Sequence, residues 1–261
     1  MTLIGVPSVQ NSGVRETSNS DIPAIVVQGL SFAYGNSSPV LGNLSLTVKT
    51  GEKLGIIGHN GCGKTTLFLL LCGVLKPSTG SIELLGKPLQ PGQFLSEVGL
   101  LFQDPDDQLF SVSVRDDIAF GPQNMGLSPA EVSERVKQAA AVTGITPLLD
   151  RLPQHLSGGE KQMAAIAGLL AMAPKILLCD EPTASLDIRA RRRLINFLQP
   201  SPETLLIASH DLEFILEVCD RVILINQGII VADGIPSQIM GDRPLMESQG
   251  LETPYSLMGL D

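Results

Sequence analysis

GIIGHNGCGKTTLFLLL, residues Gly55–Leu71, sets a polar, glycine-rich loop between two apolar runs. The run before it reads as a short strand, and the run from Thr65 to Leu75 reads as a buried helix. Glycines bring a backbone close to an anion because no Cβ stands in the way. A helix start aims free N–H groups and the positive end of its dipole at the same point. Residues Gly58, His59, Asn60, Gly61, Cys62, Gly63, Lys64 and Thr65 fit G-x-x-x-x-G-K-[ST], the phosphate-cradling P-loop, with strand and helix on the required sides. Lys64 would reach the outer phosphates of a nucleotide, and Thr65 would help to hold Mg2+. Thr66 completes the cradle. The side chains of His59 and Cys62 stand at variable positions of such loops and are assigned no chemistry.

The chain is long enough for one large domain or two lobes sharing a core: 261 residues, 43 % of them hydrophobic. Its formal net charge of −9 argues against extended contact with nucleic acid, which needs a basic face. Cys62, Cys72, Cys179 and Cys219 form no C-x-x-C pair, and the three histidines are scattered. Neither a disulfide framework nor a zinc site is expected, which fits a reducing compartment. The first basic residue is Arg15, so the charged start of a secretory signal is missing. The longest apolar run, Leu67–Leu75, falls far short of the ~20 residues that cross a bilayer. The chain is expected to be soluble and to meet a membrane through a membrane protein.

Residues 1–22 are rich in Ser, Asn and Gly without periodicity and read as a mobile tail. From Ala24, AIVVQGLSFAY and NLSLTVKTGEKLGIIG read as strands, and GSIELLG and EVGLLFQ as further ones. Val112 to about Ala173 turns helical, with a capping box at Ser128 and Glu131. KILLCDEP, TLLIAS and RVILINQGIIVADG return to strands, separated by helices over Leu186–Leu198 and Leu212–Cys219. Such alternation predicts a mostly parallel sheet covered on both faces, with the helical block as an insertion.

A P-loop alone serves kinases, GTPases and motors. ILLCDEP adds Asp180, placed to hold Mg2+ directly or through water, and Glu181, placed to orient or deprotonate the attacking water. LSGGEKQ, Leu156–Gln162, then narrows the field. Ser157, Gly158 and Gly159 open a helix and form a second anion-ready terminus. The string resembles the signature motif of ATP-binding-cassette (ABC) ATPases, in which the signature of one subunit closes on the nucleotide of its partner. The resemblance runs over roughly residues 24–240. It implies that Tyr34, in LSFAYGN, stacks on adenine. It makes Gln103, in LLFQD, the Q-loop glutamine that senses Mg2+ and the transmembrane partner. Ser185–Asp187 would be the D-loop at the dimer interface, and His210, in IASHD, the switch histidine near the γ-phosphate. The implied catalytic set is thus Lys64, Gln103, Glu181 and His210, and the implied metal set Thr65, Gln103 and Asp180.

A finer likeness follows the Q-loop. FQDPDDQLF, Phe102–Phe110, is similar to the x-P-D-D-Q segment of energy-coupling-factor (ECF) ATPases, including the cobalt-transport type, and VRDDIAFGPQNMGLS continues it. Asp106 and Asp107 would then pair with arginines on coupling helices of the membrane partner. Departures are mild: Asp104 where Asn is commoner, TASLD for SALD, and Cys179 at a usually apolar position that a thiol can fill. The arginines of Arg189–Arg193 spread over more than one helix face and read as solvated surface.

The implied fold is an α/β P-loop NTPase with a mostly parallel central sheet, an antiparallel β subdomain and an inserted helical signature subdomain. The ATPase domain would span 23–240, the helical part about 104–173, and a C-terminal extension 241–261. The implied function is to bind and hydrolyse ATP, with Mg2+, for an ECF-type importer of a micronutrient, a transition-metal ion such as cobalt or a vitamin. The implied partners are a second ABC ATPase subunit (a copy or a paralogue), a transmembrane coupling subunit and a substrate-binding membrane subunit, but no nucleic acid. The implied place is the cytoplasmic face of the cell membrane. Two alternatives stand beside this. One is the ATPase of an ordinary binding-protein-dependent importer, against which x-P-D-D-Q speaks. The other is a soluble ABC protein acting on DNA or ribosomes, which would usually carry a long coiled-coil insertion or tandem cassettes. A P-loop kinase leaves LSGGE unexplained.

Overall fold

The structure is a computed structural model that describes residues 22–35 and 37–259. Apart from Ile22, the expected N-terminal tail lies outside the described residues. The strands are β1 (Ile25–Phe32), β2 (Leu41–Val48), β3 (Lys53–Ile57), β4 (Thr79–Leu84), β5 (Lys87–Pro88), β6 (Val98–Leu101), β7 (Ile176–Asp180), β8 (Thr204–Ala208), β9 (Arg221–Asn226) and β10 (Ile229–Gly234). The helices are α1 (Lys64–Leu71), α2 (Val114–Asn124), α3 (Pro129–Thr143), α4 (Gly158–Ala171), α5 (Ile188–Leu198), α6 (Leu212–Val218), α7 (Pro236–Gly241) and α8 (Arg243–Ser248).

The central sheet runs β10-β9-β3-β8-β7-β6 and is parallel except for β10, which returns antiparallel on β9. A separate antiparallel sheet runs β2-β1-β4-β5. Parallel pairing needs crossovers, and these cover both faces of the central sheet. Side chains alternate along each strand accordingly. Leu54, Ile56, Leu178, Leu206 and Ile223 pack with α1 and the antiparallel sheet. Leu177, Leu205, Ile207, Val222 and Leu224 pack with α4, α5 and α6. Phe68 on α1 and Phe214 on α6 are wholly buried. Each contributes roughly 1.5–3 kcal/mol by leaving water.

Helices α2, α3 and α4 are inserted between β6 and β7 and pack on one another. Ser128 and Glu131 make the capping box that their spacing predicts. Helix α1 ends at Leu71 rather than Leu75. Gly73 takes φ 72°, and the N–H groups of Gly73 and Val74 turn back to the carbonyls of Leu70 and Leu69, which closes the helix. The helix expected from Leu186 starts at Ile188, because Asp187 stays outside as its cap and accepts the Ala190 N–H at 2.7 Å. After β10 the chain folds back through α7 and α8, where Met240 and Met246 are fully buried. Among the described residues no helix is long and apolar enough to cross a membrane.

Candidate active site

Strands β3, β7 and β8 deliver the site at their carboxyl ends, where open α/β sheets gather their ligands. Strand β3 feeds the loop 58–63, β7 ends on Asp180, and β8 leads to Ser209 and His210. The loop is too closely wrapped for any side chain at its first position. Gly58 has φ 152°, and a Cβ there would lie 2.2 Å from the Ile225 carbonyl oxygen. Lys64 is 6 % exposed, and its Nζ donates to the carbonyls of Gly58 (2.8 Å) and His59 (3.4 Å). The Thr65 hydroxyl donates to Asp180 Oδ2 at 2.6 Å. Burial pushes the Asp180 carboxyl above its ordinary value, and the Thr65 hydroxyl opposes that shift. Lys64, Thr65, Thr66, Gln103, Asp180 and Glu181 share a cleft of about 260 Å³ with Asn60, Gly61 and Gly63.

Glu181 is buried and has φ 46°, a left-handed conformation that costs a non-glycine residue about 1–3 kcal/mol. Its N–H is held by the Ala208 carbonyl at 2.8 Å. Its Oε2 accepts from the His210 N–H (3.1 Å) and the Ser209 hydroxyl (3.3 Å), and lies 2.6 Å from His210 Nδ1. The carboxylate is therefore gripped by the loop that carries His210.

Two predicted groups lie apart. Tyr34 stands edge-on to Phe32, with centroids 4.8 Å apart, and its hydroxyl is 3.3 Å from Thr66 Oγ1 at the margin of the loop. Ser157, Gly158 and Gly159 do not line the cleft. Ser157 caps α4 in a capping box with Glu160. A Cβ on Gly158 would come within 3.2 Å of the Ser185 carbonyl, and one on Gly159 within 2.9 Å of Ala190 Cβ. One chain thus joins the loop, Gln103, Asp180, Glu181 and His210, and leaves the signature turned to the D-loop and α5.

The family model described as ABC transporter matches residues 41–184. The chain belongs to the ABC transporter family. A Synechocystis sp. protein, provisionally named an ABC transporter ATP-binding protein, is 70 % identical over 98 % of this ABC protein and 91 % of its own length. The energy-coupling factor transporter ATP-binding protein EcfA of Methanothermobacter thermautotrophicus is 42 % identical over 88 % of this chain and 76 % of its own. The structure of cbiO1 from Clostridium perfringens, part of the ABC transporter complex cbiONQ, superposes with a TM-score of 0.78 at 35 % identity, covering 87 % of this chain and 94 % of that one. The P-loop fold read from the sequence is the fold found, and the protein is an ABC ATPase of the type that couples ATP hydrolysis to transport.

The structure adds residues to the surroundings of the ABC site that sequence reading passed over. Ser209 is fully buried; it donates to Glu181 and accepts the Asp211 N–H at 3.1 Å. Arg191 departs from the expected solvated face. Its side chain is only 22 % exposed, binds Asp211 with two prongs (2.6 and 3.0 Å) and lies over the Phe214 ring. Burial alone would raise the Asp211 carboxyl, but Arg191 and the Phe214 N–H hold it below its ordinary value. Asp211 also caps α6, so Arg191 ties the helix after the D-loop to the loop of His210. The only sequence signal was an arginine one turn before Ile195 on an otherwise apolar face.

Proposed function

We propose that this ABC ATPase energises an ECF-type importer of a micronutrient, a transition-metal ion such as cobalt or a vitamin, from the cytoplasmic face of the membrane. The observation that carries this reading is a physical connection: Gln103 lines the nucleotide cleft, and the turn Pro105–Asp107 that follows it borders an exposed groove. Phe102, Asp107, Gln108, Phe110, Asp117 and Phe120 wall this groove of about 260 Å³. Phe110 and Phe120 are exposed and meet edge to face at 4.9 Å. Asp117 is buried, accepts the N–H groups of Phe110 and Ser111 with one oxygen, and leaves the other without a partner. Acidic and aromatic walls suit an arginine from a membrane subunit.

In the cleft, Lys64 and the N–H groups of the loop would hold the β- and γ-phosphates. Thr65, Asp180 and Gln103 offer the hard oxygen donors that suit Mg2+, which needs few protein ligands. When bound, Mg2+ would neutralise developing phosphate charge. Glu181 would take the proton of the attacking water, steadied by His210 and Ser209. The signature end of α4 is left to complete the cleft of a second subunit. In a chain that pairs with its own copy, mixing inactive Lys64→Ala with inactive Ser157→Arg should restore ATPase activity, since some mixed dimers join an intact loop to an intact signature. No recovery after proven subunit exchange would count against a site shared between copies.

Asp106 and Asp107 differ in their surroundings. Asp106 is already bound by Lys161 of α4, at 2.6 and 2.8 Å, and does not line the groove, whereas Asp107 does. Asp107→Ala should therefore spare ATP binding by the isolated subunit and weaken assembly. Breaking a desolvated charge pair costs roughly 2–5 kcal/mol. Co-purification with the membrane subunits and uptake per ATP in reconstituted vesicles are the measurements. Full assembly and uptake would reduce Asp107 to a solvated turn residue.

A further inference from the structure

The segment after β10 reaches the P-loop through a chain of hydrogen bonds. Gln249, at the end of α8, accepts from Asn226 Nδ2 at 2.6 Å through its Oε1. Its Nε2 donates to the Ser248 hydroxyl (3.0 Å), which donates to the Leu245 carbonyl (2.7 Å). A carbonyl only accepts, so the direction of every bond in the chain is set from this end. Asn226 must present its oxygen to the far side, and there Oδ1 lies 2.9 Å from His59 Nε2. The other ring nitrogen, Nδ1, lies 2.7 Å from the Asn60 carbonyl oxygen. Each ring nitrogen of His59 thus faces an oxygen, one on Asn226 and one on the Asn60 backbone.

The consequence is geometric. The Asn60 carbonyl and the Gly61 N–H belong to one planar trans peptide and point in opposite directions. His59 draws the carbonyl to its own ring, which aims the Gly61 N–H the other way. Asn60 and Gly61 line the nucleotide cleft beside Lys64 and Thr65. Asn226 is well placed to steady His59, because β9 is the sheet neighbour of the strand that feeds the loop, with Leu224 opposite Ile57. The far end is stapled too: Ser256 gives its N–H (3.0 Å) and its hydroxyl (2.6 Å) to Glu213 on α6, the helix after the His210 loop.

We propose that Gln249 is a positioning residue for nucleotide binding: through Asn226 it fixes His59, and His59 fixes the peptide that offers its N–H to the phosphates. The inference rests on the reading of this cleft as the ATP site. In the full chain, Gln249→Ala should raise the Kd for a fluorescent ATP analogue and the KM for ATP by about three- to tenfold, the worth of one hydrogen bond, with kcat within about twofold. The melting temperature without nucleotide should stay near that of wild type. Gln249→Glu keeps an oxygen for Asn226 and should restore affinity. His59→Ala should weaken binding similarly, and the double variant His59→Ala with Gln249→Ala should lose little more than either alone. Wild-type affinity in Gln249→Ala, equal losses in the Ala and Glu variants, or fully additive losses in the double variant would each overturn the proposal. If Gln249→Ala does not fold, Gln249→Glu and His59→Ala still decide: a weak Glu variant or a wild-type His59→Ala overturns it. A wild-type chain that binds no nucleotide would sink the ATP-site reading as well, whereas normal wild-type binding beside an unaffected Gln249→Ala sinks only this inference.

Discussion

Glu181→Gln lowers ATP turnover by at least about 100-fold and leaves ATP affinity equal or higher, if Glu181 is the base for the attacking water. The amide matches the carboxylate in size, so the buried pocket is kept. Its oxygen can still accept from the Ser209 hydroxyl and the His210 N–H, the donors that grip Glu181 now. The left-handed backbone at this position and its bond to Ala208 do not depend on the side-chain charge. What is lost is the ability to take a proton. Phosphate binding is assigned to Lys64 and the loop, so removing a negative charge from the cleft cannot weaken the hold on an anion. Equilibrium binding and single-turnover phosphate release separate the two effects. Hydrolysis within tenfold of wild type would place the base elsewhere.

The parts of this architecture that were legible in the sequence are those decided by local chemistry. The loop from Gly58 to Thr65 needs a strand before it and a helix after it, and both were visible as apolar runs. The box at Ser128 and Glu131 is closed within one helical turn. Asp180 was readable because it ends a fully buried strand, β7, whereas His210, two residues past the fully buried β8, was readable only through its resemblance to the switch histidine. Contacts between distant segments were not legible. Arg191 on Asp211, Lys161 on Asp106 and His59 on Asn226 join groups that no periodicity links. His59 and Cys62 looked alike as variable loop positions, yet they differ. Cys62 is buried against the loop, and burial raises its thiol above the ordinary value. His59 reaches out to β9. The Lys161 partner of Asp106 was hidden for the same reason: the helix that supplies it starts some fifty residues later and folds back beside the turn.

Lys64→Ala should raise the Kd for ATP more than about 30-fold, because a desolvated charge-assisted contact is worth roughly 2–5 kcal/mol. Its ammonium is held by two loop carbonyls, at 2.8 and 3.4 Å, and among the described residues it makes no ion pair. Nothing of full negative charge must be displaced when it turns to a phosphate, so most of the attraction is available to the ligand. The same substitution leaves the buried Gly58 carbonyl without its donor, which costs about 1–3 kcal/mol of stability. A lower melting temperature alone would therefore say little about binding. The ligand-induced shift separates the two, since a ligand at free concentration L stabilises a protein by RT ln(1 + L/Kd). ATP at about 100 times the wild-type Kd should stabilise wild type by about 2.7 kcal/mol and Lys64→Ala by under about 1 kcal/mol, read as the shift in melting temperature. Lys64→Arg keeps the charge on a bulkier, planar group that cannot occupy the space between the two carbonyls in the same way. It should recover part of the binding if charge dominates and almost none if the compact geometry does. An Ala variant with unchanged ATP affinity would show that the loop cradles something other than a nucleotide's phosphates.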